Sequence, residues 1–215
     1  MKNSTKNQKP WSQYECDYVP ENHPFDEFIP EDAATLVIGT FPTSQSNARF
    51  KFYYGGEKSN FWPLMEETFN ESFKFKSQLV AVEERKCFLK KHKIGMTDIL
   101  LKCYRLHNRS GDEYLTPILF KNILSLLRQH NLIDKIILTS RTHIIGALGL
   151  FKTYLLQNNQ ELGDLYKDHN NTLCGHFYLD GRLLMIYVPI SPSSRVEGYS
   201  FDQLVTIYRS CFHNP

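Results

Sequence analysis

Three short runs are apolar almost throughout: ATLVI at 34–38, KIIL at 135–138 and LLMIY at 183–187. A strand that shows no polar side must have both faces covered, which is the condition of a strand inside a mainly parallel sheet. Between and after them lie segments of helical character: SNFWPLMEETF (59–69), SQLVAVEERKCFLKKHK (77–93), THIIGALGLFKTYLLQ (142–157) and, closing the chain, SFDQLVTIYRSCF (200–212). Ser59 or Asn60 can cap the first, and Pro63 suits its first turn. TPILFKNILSLLRQH (116–130) is expected as a further helix, with Thr116 as its cap and Ile118, Leu119, Ile123, Leu126 and Leu127 on one face. Asp180-Gly181 between two strand-like runs predicts a hairpin turn. IGMTDILL (94–101) reads as a short strand or its C-terminal edge. The expected fold is α/β, with an open, mainly parallel central sheet flanked by helices.

The 215 residues suffice for one substantial core. Residues 1–30 are expected to be a flexible basic arm and lead-in, and 31–215 a single α/β domain. No run of about 18 apolar residues suggests a membrane span, and the polar start lacks signal-peptide character, so a cytoplasmic location is expected. The five cysteines (16, 87, 103, 174 and 211) are scattered, without Cys-x-x-Cys or zinc spacing, so reduced thiols, no metal and no cofactor are expected. A net charge of +2 identifies no partner by itself. Basic residues cluster locally in KNQK (6–9), at Arg49, Lys51 and Lys58, and in ERKCFLKKHK (84–93), the last readable also as a solvated helix face.

In open α/β sheets, ligands sit beyond the carboxyl ends of the strands. Two segments leave strands there with unusual chemistry. GTFPTSQSNARFKFYYGGEKSNFW (39–62) is far longer and more aromatic than a connection needs. VPISPSSRVEGYS (188–200) follows LLMIY. The two are expected to face each other across one cleft.

The first of these resembles the opening motif of the uracil-DNA glycosylase superfamily. It is closest to the hypoxanthine-DNA glycosylase-like branch, which has a Gly-Ser-(Phe/Met)-Pro start, then Tyr-Tyr, then Asn before Phe-Trp. IGMTDIL resembles the Gly-(Phe/Val)-Thr-Asn segment of the mismatch and thymine enzymes. PISPSSR resembles their Pro-Ser-rich loop, which ends in a side chain that fills the gap left by a flipped nucleotide. The resemblance implies a three-layer α/β/α fold and a metal-independent, monomeric, monofunctional DNA glycosylase. Such an enzyme hydrolyses the bond between a flipped base and its deoxyribose, in base-excision repair or in defence against modified foreign DNA. Its partner would be DNA, as a duplex or as a single strand.

On that resemblance Phe41, Tyr53 and Tyr54 can stack on a base, and Thr40 and Ser44 can donate to it. Gly55-Gly56 admits the backbone to phosphate, although on its own it is a turn. Tyr53, like Phe61 and Trp62, can equally be core. Arg49, Lys51 and Lys58 suit phosphates, as do Ser191, Ser193 and Ser194, while Arg195 falls at the gap-filling position or forms a surface ion pair.

Two departures matter. Phe41 stands where the uracil, mismatch and thymine branches carry an Asp or Asn that positions water. The Gly-Ser-(Phe/Met)-Pro branch relies instead on an Asn two positions before Phe-Trp, which here is Ser59, with Asn60 next; either residue can also be only a helix cap. Asp98 replaces the Asn of the middle segment. A carboxylate accepts only, so Asp98 suits a base edge that donates, such as an amino group. It can also polarise water, steady a cationic sugar, or cap a short helix beginning DILLKCYR. Asn60, Ser59 and Asp98 are therefore the catalytic candidates. A DNA-binding module with a base-flipping pocket and no catalysis is the alternative. A serine hydrolase is disfavoured by the lack of Gly-x-Ser-x-Gly, and His143 and His176 have no identifiable partners.

Overall fold

The computed structural model describes residues 18–43, 48–107 and 109–213; Ser44, the KNQK arm and Cys16 lie outside them. In chain order the strands are β1 (Tyr18–Asn22), β2 (Thr35–Gly39), β3 (Ile94–Asp98), β4 (Leu100–Leu106), β5 (Leu115–Phe120), β6 (Lys135–Leu138), β7 (Tyr166–Lys167), β8 (Leu173–Leu179) and β9 (Arg182–Val188). The helices are α1 (Phe61–Phe69), α2 (Gln78–Lys91), α3 (Ile123–Gln129), α4 (Ala147–Gln157) and α5 (Phe201–His213).

The apolar runs become the centre of a six-stranded sheet in the order β3-β2-β6-β9-β8-β7. β3, β2, β6 and β9 are parallel, and β8 and β7 close one side antiparallel. Successive side chains of these strands go to opposite cores, as the pleat requires. Leu36, Ile38, Ile136 and Leu138 pack with α3 and α4, whereas Val37 and Ile137 pack with α1, α2 and α5. This is a three-layer α/β/α arrangement. The β8–β9 hairpin turns at Asp180-Gly181, both at positive φ (52° and 81°), as a two-residue turn requires.

A second sheet, β1-β4-β5, is antiparallel and was not expected from the sequence. DILLKCYR is therefore not a helix: Asp98 ends β3 and β4 begins at Leu100. The expected helix over 116–130 is also corrected. Its first part is β5, paired with β4 at Cys103↔Pro117 and Tyr104↔Thr116. Pro117 is tolerated there because β5 is an edge strand. The helix starts only at Ile123, and its cap is Asn122, whose side chain accepts from the Ser125 N–H at 3.2 Å. The helix expected from Thr142 likewise begins later, at Ala147. Of the lead-in, residues 18–22 form β1.

The cap assignment can be checked by thermal unfolding. Asn122→Ala should cost about 1 kcal/mol, the usual loss for a removed N-cap. Thr116→Ala, on an exposed strand position, should stay within roughly 0.5 kcal/mol. The reverse order of effects would place the helix start at Thr116.

Candidate functional site

β2 and β3 end side by side, with Gly39 opposite Asp98 in the parallel ladder. A side chain at position 39 has no room. A Cβ there would stand 2.1 Å from Asp98 Oδ1 and 2.8 Å from the Tyr54 hydroxyl oxygen. Gly39 is the gap through which a carboxylate and a phenol cross the strand end.

The small sheet meets the main one at this point. Ile99 N–H donates to Gly39 O (2.9 Å), Lys121 N–H to Ile99 O (2.9 Å) and His23 N–H to Leu101 O (2.8 Å). The backbone ladder thereby sets His23, just past β1, and Lys121, just past β5, around Asp98. His23 Nε2 lies 2.8 Å from Asp98 Oδ2. Lys121 Nζ donates to Phe25 O at 3.3 Å and stands 3.8 Å from Glu27 Oε2. Burial pushes the Lys121 ammonium down, with Asp98 opposing. Burial first, and Asp98 next, push the Tyr53 and Tyr54 hydroxyls well up, so both stay protonated.

The loop between β4 and β5 adds a second carboxylate. Thr40 Oγ1 donates to Asp112 Oδ2 at 2.7 Å. Burial raises the Asp112 carboxyl from 3.8 to about 6; the Thr40 hydrogen bond opposes this and the charge of Asp98 adds to it. Arg105, buried on β4, bonds Glu21 Oε2 (2.9 Å) and Pro42 O (2.5 Å), and its guanidinium stands 5.5 Å from the Phe41 ring.

The aromatic candidates are built into the walls. Phe41 is 8% exposed, with the edge of His23 against its ring at 5.4 Å between centroids. Tyr53 is buried and donates to Asp26 O at 3.0 Å. Tyr54, at φ 54°, stacks on Phe61 at 4.1 Å, and its hydroxyl pairs with Thr139 Oγ1 at 2.7 Å, beyond the end of β6. Phe50, Trp62 and Phe73 surround the guanidinium of Arg85, at 4.9, 5.9 and 4.3 Å.

The two long loops meet, as expected. Ser59 and Ser193 form a β-bridge, and Asn60 N–H donates to Pro192 O at 3.0 Å. Ser59 Oγ accepts from the Phe61 N–H at 3.3 Å, in a turn just ahead of the helix. Asn60 occupies the cap position of α1 without a side-chain cap bond, so the helix does not use its carboxamide. Neither residue is hydrogen-bonded to Asp98 among the described residues. Ser191 Oγ accepts from Ser193 N–H and Ser193 Oγ from Arg195 N–H, both at 3.3 Å, so these hydroxyls brace their own loop; Ser194 is exposed. Arg195 is exposed and reaches Ser110 Oγ at 2.9 Å, on the loop that carries Asp112.

Gly55 serves the loop itself: a Cβ there would stand 2.1 Å from Phe50 O, and Ala48 pairs with Gly56 across the loop neck. Arg49, Lys51 and Lys58 are exposed and form no ion pair among the described residues. The run 84–93 is different. It feeds the amino end of β3, at the opposite edge from Asp98. Arg85 is buried, and Lys86, Lys91 and Lys93 pair with Glu83, Glu71 and Asp32.

His23, Arg105, Asp112, Lys121 and Thr139 were not anticipated. His23 and Asp98 are 75 residues apart, and Thr40 and Asp112 are 72 apart. With the small sheet unread, no spacing linked them.

No protein-family model matches the sequence, and no curated protein matches it. Among solved structures it is similar to a solution NMR structure from Methanosarcina acetivorans of a candidate uracil DNA glycosylase, with a TM-score of 0.55 and 17% identity. The match covers 87% of this chain and 96% of the other. The likeness shows a shared α/β fold.

Asp112 gives a pH prediction. Its folded-state value of about 6 lies above the ordinary 3.8, so the native state keeps a proton that the unfolded chain loses first. The stability this gives is complete below the ordinary value and is lost as pH rises towards the folded one. Asp112→Asn removes that loss. The Tm of the variant relative to wild type should rise between about pH 4 and pH 7 and then level off. A difference constant over that range would refute the assignment.

Proposed function

We propose that the protein is a monofunctional DNA glycosylase that hydrolyses the glycosidic bond of a flipped, damaged or modified base. The observation that carries this reading is the junction of the 39–62 and 188–200 loops at Ser59 and Ser193, over a strand edge that holds Asp98, within a fold shared with a candidate uracil DNA glycosylase. A flipped nucleotide needs a closed pocket for its base, a cationic surface for its phosphates and a polar group at the bond that breaks. Phe41, Tyr53 and Tyr54 supply apolar walls, with Thr40 beside them. Arg49, Lys51 and Lys58, without ion pairs among the described residues, supply positive charge, and the backbone of 191–195 a loop for phosphate contact.

The glycosidic bond breaks through a cationic sugar, to which water then adds. Phe41 cannot orient that water. Asn60 can, because its carboxamide is not engaged in capping. Asp98 contributes negative charge near the sugar, an effect strongest where water is excluded. Ser59, whose hydroxyl accepts from the Phe61 N–H across Asn60, holds Asn60 in place. Arg195 lies at the rim, suited to entering the space that the flipped nucleotide vacates.

The test is incubation with duplexes that each carry one uracil, hypoxanthine or modified cytosine, followed by alkaline cleavage at abasic sites. Cleavage is expected for at least one base. DNA retarded on a gel without cleavage would instead support a base-flipping module without catalysis. Asn60→Ala and Asp98→Ala should each slow single-turnover release about 10²–10³-fold, with DNA binding changed only a few-fold. If both variants keep near-full rates, the assigned chemistry is wrong.

Arg195→Ala should weaken duplex targets by about 1–3 kcal/mol and single-stranded ones less, since only a duplex has a gap to fill. Equal losses on the two substrates would remove the gap-filling role.

A further inference from the structure

The hydrogen bonds around His23 leave two arrangements for its protons. Nδ1 lies 2.7 Å from Phe25 O, a contact that needs hydrogen on Nδ1, and 3.2 Å from the Phe25 N–H, a contact that needs Nδ1 bare. The shorter contact, to a carbonyl that only accepts, favours hydrogen on Nδ1. The 2.8 Å contact from Nε2 to Asp98 Oδ2 then needs a second proton, carried by the ring or by the carboxyl. This pair meets solvent at one end only. The imidazole is 0% exposed, and the Asp98 side chain keeps 6%. A proton passing between the pair and a ligand must go through Asp98.

We propose that His23 and Asp98 share a proton that is handed to the departing base, which selects bases that leave as neutral molecules, such as hypoxanthine or a cytosine derivative, over bases that leave readily as anions. This rests on the glycosylase reading. The bond from the base nitrogen to the sugar carbon breaks, and its electron pair stays with the base. The one shared proton passes from His23 Nε2 to Asp98 and from Asp98 to the base, which leaves a neutral ring beside a carboxylate. Water adds through oxygen to the sugar carbon, and its released proton returns through Asp98 to the pair. The pair ends as it began. Asp98 is the catalytic residue and His23 a positioning residue that acts through it.

Charged and titratable groups from several elements act on the pair or on its neighbours. Lys121 at the end of β5, Asp112 in the β4–β5 loop, and Tyr53 and Tyr54 in the opening loop interact with Asp98. Asp26 and Glu27 of the lead-in act on Tyr53 and Lys121, and Arg105 of β4 on Asp112. Lys121 Nζ donates to the same Phe25 carbonyl that Nδ1 contacts, which ties the far side of the ring to β5.

The test compares single-turnover release of hypoxanthine and of 5-fluorouracil, an acidic base that leaves well as an anion, from otherwise identical duplexes. His23→Gln keeps a donor for Asp98 but cannot pass a proton on. It should slow hypoxanthine release about 10²-fold, the low end for general acid catalysis, and 5-fluorouracil release by less than about tenfold. It should also flatten the fall of the hypoxanthine rate at alkaline pH. Equal losses on the two bases with an unchanged pH profile would overturn the proposal and leave the glycosylase reading standing. Release of neither base by the wild type would overturn both. Nitrogen-15 NMR of the wild-type imidazole tests the pair without any substrate. Hydrogen on Nδ1 and a proton shared at Nε2, perturbed by Asp98→Asn, is expected; hydrogen on Nε2 alone, with Nδ1 bare, overturns the proposal.

Discussion

A carboxylate placed at the end of a buried strand has to be paired, because removing one partner from a buried ion pair typically costs about 3–5 kcal/mol. Asp98 is that carboxylate, and most of what surrounds the cleft can be traced to satisfying it. The central sheet cannot do so, since its neighbouring strand end is Gly39, which offers space and no side chain. The partner comes from outside the sheet: His23, brought in by β1 pairing with β4. Lys121 arrives by the same ladder on the other side, and the β4–β5 loop sets Asp112 against Thr40. The three added strands hold a polar cluster over a sheet built almost wholly from apolar side chains.

The central sheet was legible because its signal is local. ATLVI, KIIL and LLMIY have no polar face, and Asp180-Gly181 marks its own turn, so neither needs knowledge of a partner. The small sheet has no such signal. YVPEN carries Pro and Glu, and LLKCYRL alternates only partly. TPILF joined to KNILSLL gave a fair helical stripe, with a Thr-Pro start as persuasive as a true cap. Pairing with β4 overrode that local preference. The cost fell on the site, since His23 and Asp112 are placed by the missed sheet. Asp98 and the two loops could be named as candidates because they follow strands that could be read, and Asn60 because it stands before Phe-Trp in the motif.

The crowding of the opening loop also has a physical explanation. Most of its aromatic rings hold the loop up: Phe50 and Trp62 face the guanidinium of Arg85, Tyr54 lies on Phe61, and the Trp62 indole donates to Tyr53 O at 2.9 Å. Packed in this way against α1 and α2, the loop is held in place along its aromatic side. Arg49, Lys51 and Lys58 form no ion pair among the described residues, while Lys86, Lys91 and Lys93 of the 84–93 run are held in local pairs.

One residue, Ile99, separates β3 from β4, and both of its neighbours belong to a ladder. A joint that short has no slack. The two sheets cannot slide or hinge against each other without pulling Asp98 out of register with Gly39 or Leu101 away from His23. Whatever loosens the small sheet therefore also takes the partner away from Asp98, so that the edge of the main sheet and the three added strands stand or fall together.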